Sequence, residues 1–260
     1  MTETNSHIAP DAELLENRRL LSADVVNGTL VVVGTNGPDR IAMWEDVGPK
    51  GTVIVGYVDA LLFDRPPETF EFPAEGVHSI LVRALPGADT VDLFDAPVGP
   101  ESGPISILSR IDAGLGNDVV SGGIGRDVIV GGFGNDRIQG NRGNDWIEGG
   151  WGNDDLRGGE GNDYVSGSYG DDTVTGDEGD DRLFGGAGND HVGFNAVGPL
   201  TSEPGNDILS GGPGEDWMVG GAGRDRIFGG TGRDHFSLED DDSEMIDRTP
   251  DEPKDVPVGV

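Results

Sequence analysis

The chain has 260 residues, among them 46 Gly but only 9 Phe, 4 Trp and 3 Tyr, and its 49 Asp plus Glu against 17 Lys plus Arg give a formal charge of −32. So much glycine raises the entropy lost on folding, and so little aromatic volume rules out an ordinary packed core, so any fold must be repetitive and externally tied. The charge excludes DNA, RNA and anionic lipid as partners, the absence of Cys excludes disulfides and thiol chemistry, and four His argue against a histidine-rich transition-metal site.

Residues 1–24 are polar and then mildly apolar, and no basic segment leads into an apolar region of the kind that opens a conventional signal peptide. LLENRRLLSA at 14–23 reads as a brief amphipathic helix, and it also resembles a short N-terminal motif of some exported proteins. Nowhere is there an apolar run long enough for a transmembrane span.

Residues 25–112 are punctuated by strand-like runs at 29–33, 52–55, 78–82 and 105–108. GTNGPDRIA at 34–42 and ALPGADTVD at 84–92 each keep a fourth Gly, a sixth Asp and an eighth Ile or Val. This part is read either as long, irregular coils of the repeat that follows or as a flanking β-sheet capping one end of it. Asp39 and Asp89 are accordingly weaker metal candidates than the aspartates downstream, with a structural turn as the alternative.

From 113 the period is strict. Asp118, Asp127, Asp136, Asp145, Asp154, Asp163, Asp172, Asp181 and Asp190 follow one another at intervals of nine, and the series resumes at Asp207, Asp216, Asp225 and Asp234. With this aspartate sixth in each unit, Gly is fourth in every unit and the eighth residue is always apolar, from Val120 and Ile129 to Ile227 and Phe236. The eighth position is the inward side chain of a three-residue strand. Gly at positions one, two and four permits positive φ, and Asn141 and Asp177, which replace it at position two, tolerate the same region. Two units close one coil of eighteen residues, coils stack about 4.8 Å apart, and each sixth aspartate then lies beside the one two units away.

Rows of carboxylates at that spacing repel one another unless cations lie between them. Ca²⁺ takes six to eight oxygens, which an Asp and turn carbonyls from adjacent coils can supply, whereas Mg²⁺ demands a stricter octahedron. The thirteen aspartates from Asp118 to Asp234 are therefore the candidate metal ligands.

In the units GGIGRDVIV, GGFGNDRIQ and GGAGRDRIF, the chain resembles the RTX family, whose hemolysin-type calcium-binding repeat is GGxGxDxUx. The resemblance covers about half the chain. It implies an all-β, right-handed parallel β-roll (a parallel β-helix with two units per coil), Ca²⁺ held by these aspartates and glycine-turn carbonyls, and a secreted protein that folds in extracellular calcium. Pairing each unit with the next but one gives about 9 to 11 ions. Eleven would bring the formal charge from −32 to about −10, which suits a soluble surface.

FNAVGPLT at 194–201 interrupts the repeats. It is read as a bulged loop with Phe194 turned inward, the alternative being a degenerate half-coil that would swap the two metal rows. Residues 238–260 form an acidic, proline-punctuated tail expected to be mobile, ending in DVPVGV, which loosely fits an uncleaved C-terminal export signal.

Phe133, Trp151 and Tyr169 recur eighteen apart at position three, and Trp146 and Tyr164 do so at position seven, so both sets are expected to form outward ladders that stiffen the stack or meet a cell-surface glycan or protein. His191 and His235 fall at position seven, where they are expected to be exposed and not metal ligands. HExxH, GxSxG and EF-hand motifs are absent, and no convergent polar pocket is legible in 25–112, so no catalytic residue is assigned and the chain is read as a non-enzyme. The functional reading is an exported calcium-binding structural or adhesive module at the cell surface or outside the cell. A carbohydrate- or protein-binding module is the alternative, and a small calcium-stabilised enzyme a third.

Overall fold

The computed structural model describes residues 22–48, 51–60, 67–94, 102–193, 205–237 and 244–247. Two long, mostly parallel sheets face each other, and successive units of the chain contribute strands to them alternately. One sheet runs from Thr29–Val33 through Ser79–Arg83, Leu108–Leu115, Asp127–Phe133 and every second strand to Arg226–Thr231. The other runs from Asp39–Gly48 through Thr90–Asp92, Val119–Ser121 and Arg137–Arg142 to His235–Ser237. Within the regular part each residue pairs with the one eighteen ahead, as in Ile129↔Ile147 and Ile138↔Leu156, so one coil is two nonapeptides and the architecture is a parallel β-roll.

From Val120 to Ile227 the apolar eighth residues supply the hydrophobic core between the sheets. Val120, Ile129, Ile138, Ile147, Leu156, Val165, Val174, Leu183, Val192, Leu209, Met218 and Ile227 are all buried in a single column. The strands are longer than a three-residue reading of positions seven to nine. Most run six residues, as in Arg137–Arg142 and Tyr164–Tyr169, because the backbone stays extended through positions one to three of the next unit. Positive φ falls at positions two and four, at Gly132 and Gly134 for example, and Asn141 and Asp177 adopt it at 77° and 69°.

The N-terminal region contributes coils of the same roll. Thr29–Val33 pairs in parallel with Ser79–Arg83, and Asp39–Gly48 pairs in parallel with Thr90–Asp92, which leads on to Val119–Ser121. Among the described residues antiparallel pairing is confined to this end. Ser22–Val26 lies against Thr29–Val33, and Asp39–Gly48, Gly51–Ala60 and Glu68–Pro73 form a meander that extends one sheet past the roll. Residues 105–108 are not a strand. Ile105 is instead a buried plug, donating its amide to Leu93 and accepting from Ile124, and the strand begins at Leu108.

The interruption leaves the rows on their own sides. Leu183 pairs with Leu209 and Val192 with Met218, so both rows keep their sides and the half-coil alternative, which would swap them, fails. Phe194, the segment 14–21 and the DVPVGV terminus lie outside the described residues. Residues Glu244–Asp247 differ from the expected mobile tail, since they add a strand beside Arg226–Thr231, where a sheet edge would otherwise present unpaired amides.

Candidate metal sites

The turns between strands place the sixth aspartates in two continuous rows, one along each edge of the roll. All thirteen, together with Asp39 and Asp89, are at most 3 % exposed. In each row Oδ1 of one aspartate accepts the backbone N–H of the aspartate in the preceding coil. The first row runs Asp39, Asp89, Asp118, Asp136, Asp154, Asp172, Asp190, Asp216, Asp234, with bonds of 2.7–3.1 Å. The second runs Asp127, Asp145, Asp163, Asp181, Asp207, Asp225, with bonds of 2.7–2.9 Å. The steps Asp181–Asp207 and Asp190–Asp216 span 26 residues with the same bond, so both rows cross the interruption intact.

The second carboxylate oxygen is the chemically informative one. Oδ2 of Asp89, Asp118, Asp136, Asp145, Asp154, Asp163, Asp172, Asp181, Asp190, Asp207 and Asp216 is buried with no hydrogen-bond partner. One such atom costs on the order of 1–3 kcal/mol, so a continuous chain of them calls for a proton or a cation on each. The first glycine of the unit faces this oxygen. A Cβ on Gly131, Gly158 or Gly185 would lie under 3.0 Å from Oδ2 of Asp136, Asp163 or Asp190, and on Gly131 and Gly158 equally close to the carbonyl of Gly149 or Gly176 in the next coil. In these units glycine at position one is favoured by the convergence of a carboxylate and a carbonyl, not by φ.

Burial without a counter-ion raises these carboxyls. Desolvation, opposed by the amide bond and reinforced by the neighbouring carboxylates, pushes Asp145 up to about 8 and Asp89, Asp154, Asp163, Asp190 and Asp207 to about 7. Asp118, Asp172, Asp181 and Asp216 are raised to about 6, and Asp136 is raised as well, again first by burial. Oxygens of this kind, hard, anionic and dry, fit Ca²⁺. Among the described residues no three His, Cys, Asp or Glu side chains converge, so any ion held here would draw on main-chain carbonyls as well as carboxylates.

Asp127 stands apart from its row. Its Oδ1 accepts from Ser109 Oγ at 2.6 Å and its Oδ2 from the Gly123 amide at 2.7 Å, so both oxygens are satisfied by protein. A second ladder, not foreseen from the sequence, runs beside the first. Oδ1 of Asn117 accepts the amide of Asn135, Asn135 that of Asn153, Asn153 that of Asp171 and Asp171 that of Asn189. The preference for Asn or Asp at position five is the legible trace of it.

The outward aromatics form the expected columns. Phe133, Trp151 and Tyr169 stack with centroids 6.0 and 4.2 Å apart, and Trp146 lies 4.0 Å over Tyr164. His191 and His235 are exposed and flank Trp217. No helix among the described residues is long and apolar enough to cross a membrane.

Comparison with curated proteins returns no match. The model of the RTX calcium-binding nonapeptide repeat matches four times, at 110–138, 130–165, 157–192 and 202–236. These residues carry four tandem matches to the RTX calcium-binding nonapeptide repeat, and this part of the chain is a calcium-binding structural repeat.

Proposed function

We propose that the ligands are the buried aspartates of the two rows, that calcium fills the intervals between successive coils, and that folding and binding are one equilibrium. The observation that carries this is the register of unpartnered, buried Oδ2 atoms, most of them facing a first-position glycine whose missing Cβ leaves the carboxylate and a neighbouring carbonyl free to converge. Six intervals on the first edge, from 118/136 to 216/234, and five on the second, from 127/145 to 207/225, give eleven positions. The 127/145 interval is the weakest of these, because the Asp127 carboxylate is already occupied by Ser109 and Gly123.

In this reading residues 113–237 are the calcium-dependent roll and 25–112 its capping coils. A chain of charge −32 that needs many divalent ions suits an exported structural or adhesive protein, since calcium is abundant outside the cell. The aromatic columns serve mainly to stiffen the roll. The rings of Trp151 are covered by Phe133 on one side and Tyr169 on the other, which leaves edges where a sugar would need faces.

Calcium titration of the metal-stripped chain, followed by far-UV circular dichroism and by native mass spectrometry, tests the proposal. Cooperative gain of β signal together with about ten bound ions is expected. A β signal that is the same with and without calcium would refute the coupling of folding to binding.

A further inference from the structure

Two kinds of turn recur in the roll, distinguished by the second residue of the unit. In the first class this residue has positive φ, as at Gly114, Gly132, Gly150, Ser168 and Gly186, and Oδ2 of the sixth aspartate is left without a partner. In the second class, seen at Thr35 and Gly123, φ is not positive and the amide of that residue donates to Oδ2 of Asp39 or Asp127. A hydroxyl completes each of these closed turns. Thr35 Oγ1 donates to Asp39 Oδ1 at 2.9 Å, and Ser109 Oγ donates to Asp127 Oδ1. Protein donors thus occupy both oxygens of the first aspartate in each row.

The unit at 84–92 lies outside the matched repeats, yet it belongs to the open class. Its second residue is Leu85, held at φ 75°. A leucine in the left-handed region is a genuine outlier that persists only where its surroundings over-determine it. Asp89 is 1 % exposed, its Oδ1 accepts the Asp39 amide at 2.7 Å, and its own amide donates to Asp118 Oδ1 at 2.7 Å. Oδ2 of Asp89 is buried and has no partner, and the same is true of Asp118 in the next coil.

We infer that Asp89 and Asp118, with main-chain carbonyls of their two turns, form an additional calcium site upstream of the matched repeats, and that the row stops at Asp39, where Thr35 replaces the ion. This rests on the reading of the rows as calcium ligands. Ala84 and Ala113 stand at the first position of the two units in place of glycine, so the site is more crowded than its neighbours and fills last.

The test counts ions bound to the full chain in saturating calcium by native mass spectrometry, for wild type and the variants Asp89→Asn, Asp89→Ser and Asp39→Asn. Serine is a fold-compatible choice, because Ser109 already occupies the sixth position opposite Asp127 in the other row. One ion fewer in whichever Asp89 variant keeps its β signal, with an unchanged count in Asp39→Asn, is the expected result. Equal counts in wild type and Asp89→Ser overturn the inference while leaving the other sites standing, as does a loss in Asp39→Asn equal to that in the Asp89 variants. A wild type that binds no calcium overturns both this inference and the reading beneath it.

Discussion

Stripping calcium from the chain and varying pH should reveal how much the rows depend on a counter-ion. A carboxyl whose folded value is raised above its ordinary 3.8 binds protons more readily in the fold than in the unfolded chain, so the metal-free fold gains stability as pH falls and loses it as pH rises. The raised values, from about 6 at Asp118 and Asp172 to about 7 at Asp154 and Asp163 and about 8 at Asp145, set the window. At pH 8 a group shifted to about 7 opposes folding by roughly 4 kcal/mol and one shifted to about 6 by roughly 3 kcal/mol. A handful of such groups already offsets the ~5–15 kcal/mol that a domain holds in reserve. At pH 4 the penalty shrinks to about 0.5 kcal/mol per group.

The metal-stripped chain is therefore expected to lack β structure at pH 8 and to regain it progressively on acidification to pH 4, with the steepest gain between pH 6 and 4, where each unit of pH returns about 1.4 kcal/mol per raised group. Circular dichroism across the pH series provides the measurement. Proton counting in weak buffer adds a second. If the stripped chain at pH 7 is unfolded, its carboxyls are already ionised and calcium binding releases almost no protons. A stripped chain that keeps its β signal and the same melting temperature at pH 8 and pH 4 would refute the reasoning.

Two substitutions examine other parts of the argument. Gly158→Ala places a Cβ under 3.0 Å from Asp163 Oδ2 and from the Gly176 carbonyl, so it should cost on the order of 1–3 kcal/mol and move the calcium midpoint upward, whereas Gly103→Ala, with nothing within 4 Å, should stay within about 0.5 kcal/mol in thermal melts. Trp151→Ala removes two ring contacts and should lower stability in saturating calcium by about 1–3 kcal/mol with the ion count unchanged; a variant as stable as wild type would deny the columns their stiffening role.

The period of nine made the roll readable, because positions four, six and eight each answer a separate physical demand for turn, ligand and core. What the period could not disclose was the pairing of atoms. Whether Oδ2 is free or capped depends on φ at the second residue, and Gly123 at that position looks like Gly132 in sequence but behaves differently in the turn. Ser109 is invisible as a row member because it is not an aspartate, yet it occupies that position in register with Asp127. The crossing of the interruption was ambiguous for a related reason. A separation of 17 residues between Asp190 and Asp207 suggests a damaged coil, whereas the partners are Asp190 with Asp216 and Asp181 with Asp207, set by strand stacking and not by chain distance.

The first coils and the regular ones meet one problem by different means. The first coils bury Leu30, Val32, Ile41 and Met43, and then Ile80, Val82, Val91 and Leu93, whereas a regular coil buries only a pair such as Ile138 and Ile147. At roughly 1.5–3 kcal/mol for each such side chain, the early coils gain about twice the apolar stabilisation of the later ones. The first of them also satisfies its aspartate with Thr35, so it carries no unpartnered carboxylate. Each regular unit has a thin interior and an ionisable group that burial penalises. A bound ion corrects both at once, neutralising the carboxylate and adding about 2.7 kcal/mol per site when calcium stands at a hundred times its dissociation constant. Cations thus do for the regular coils what side-chain volume does for the capping ones, and without them the first coil is the one whose interior is complete.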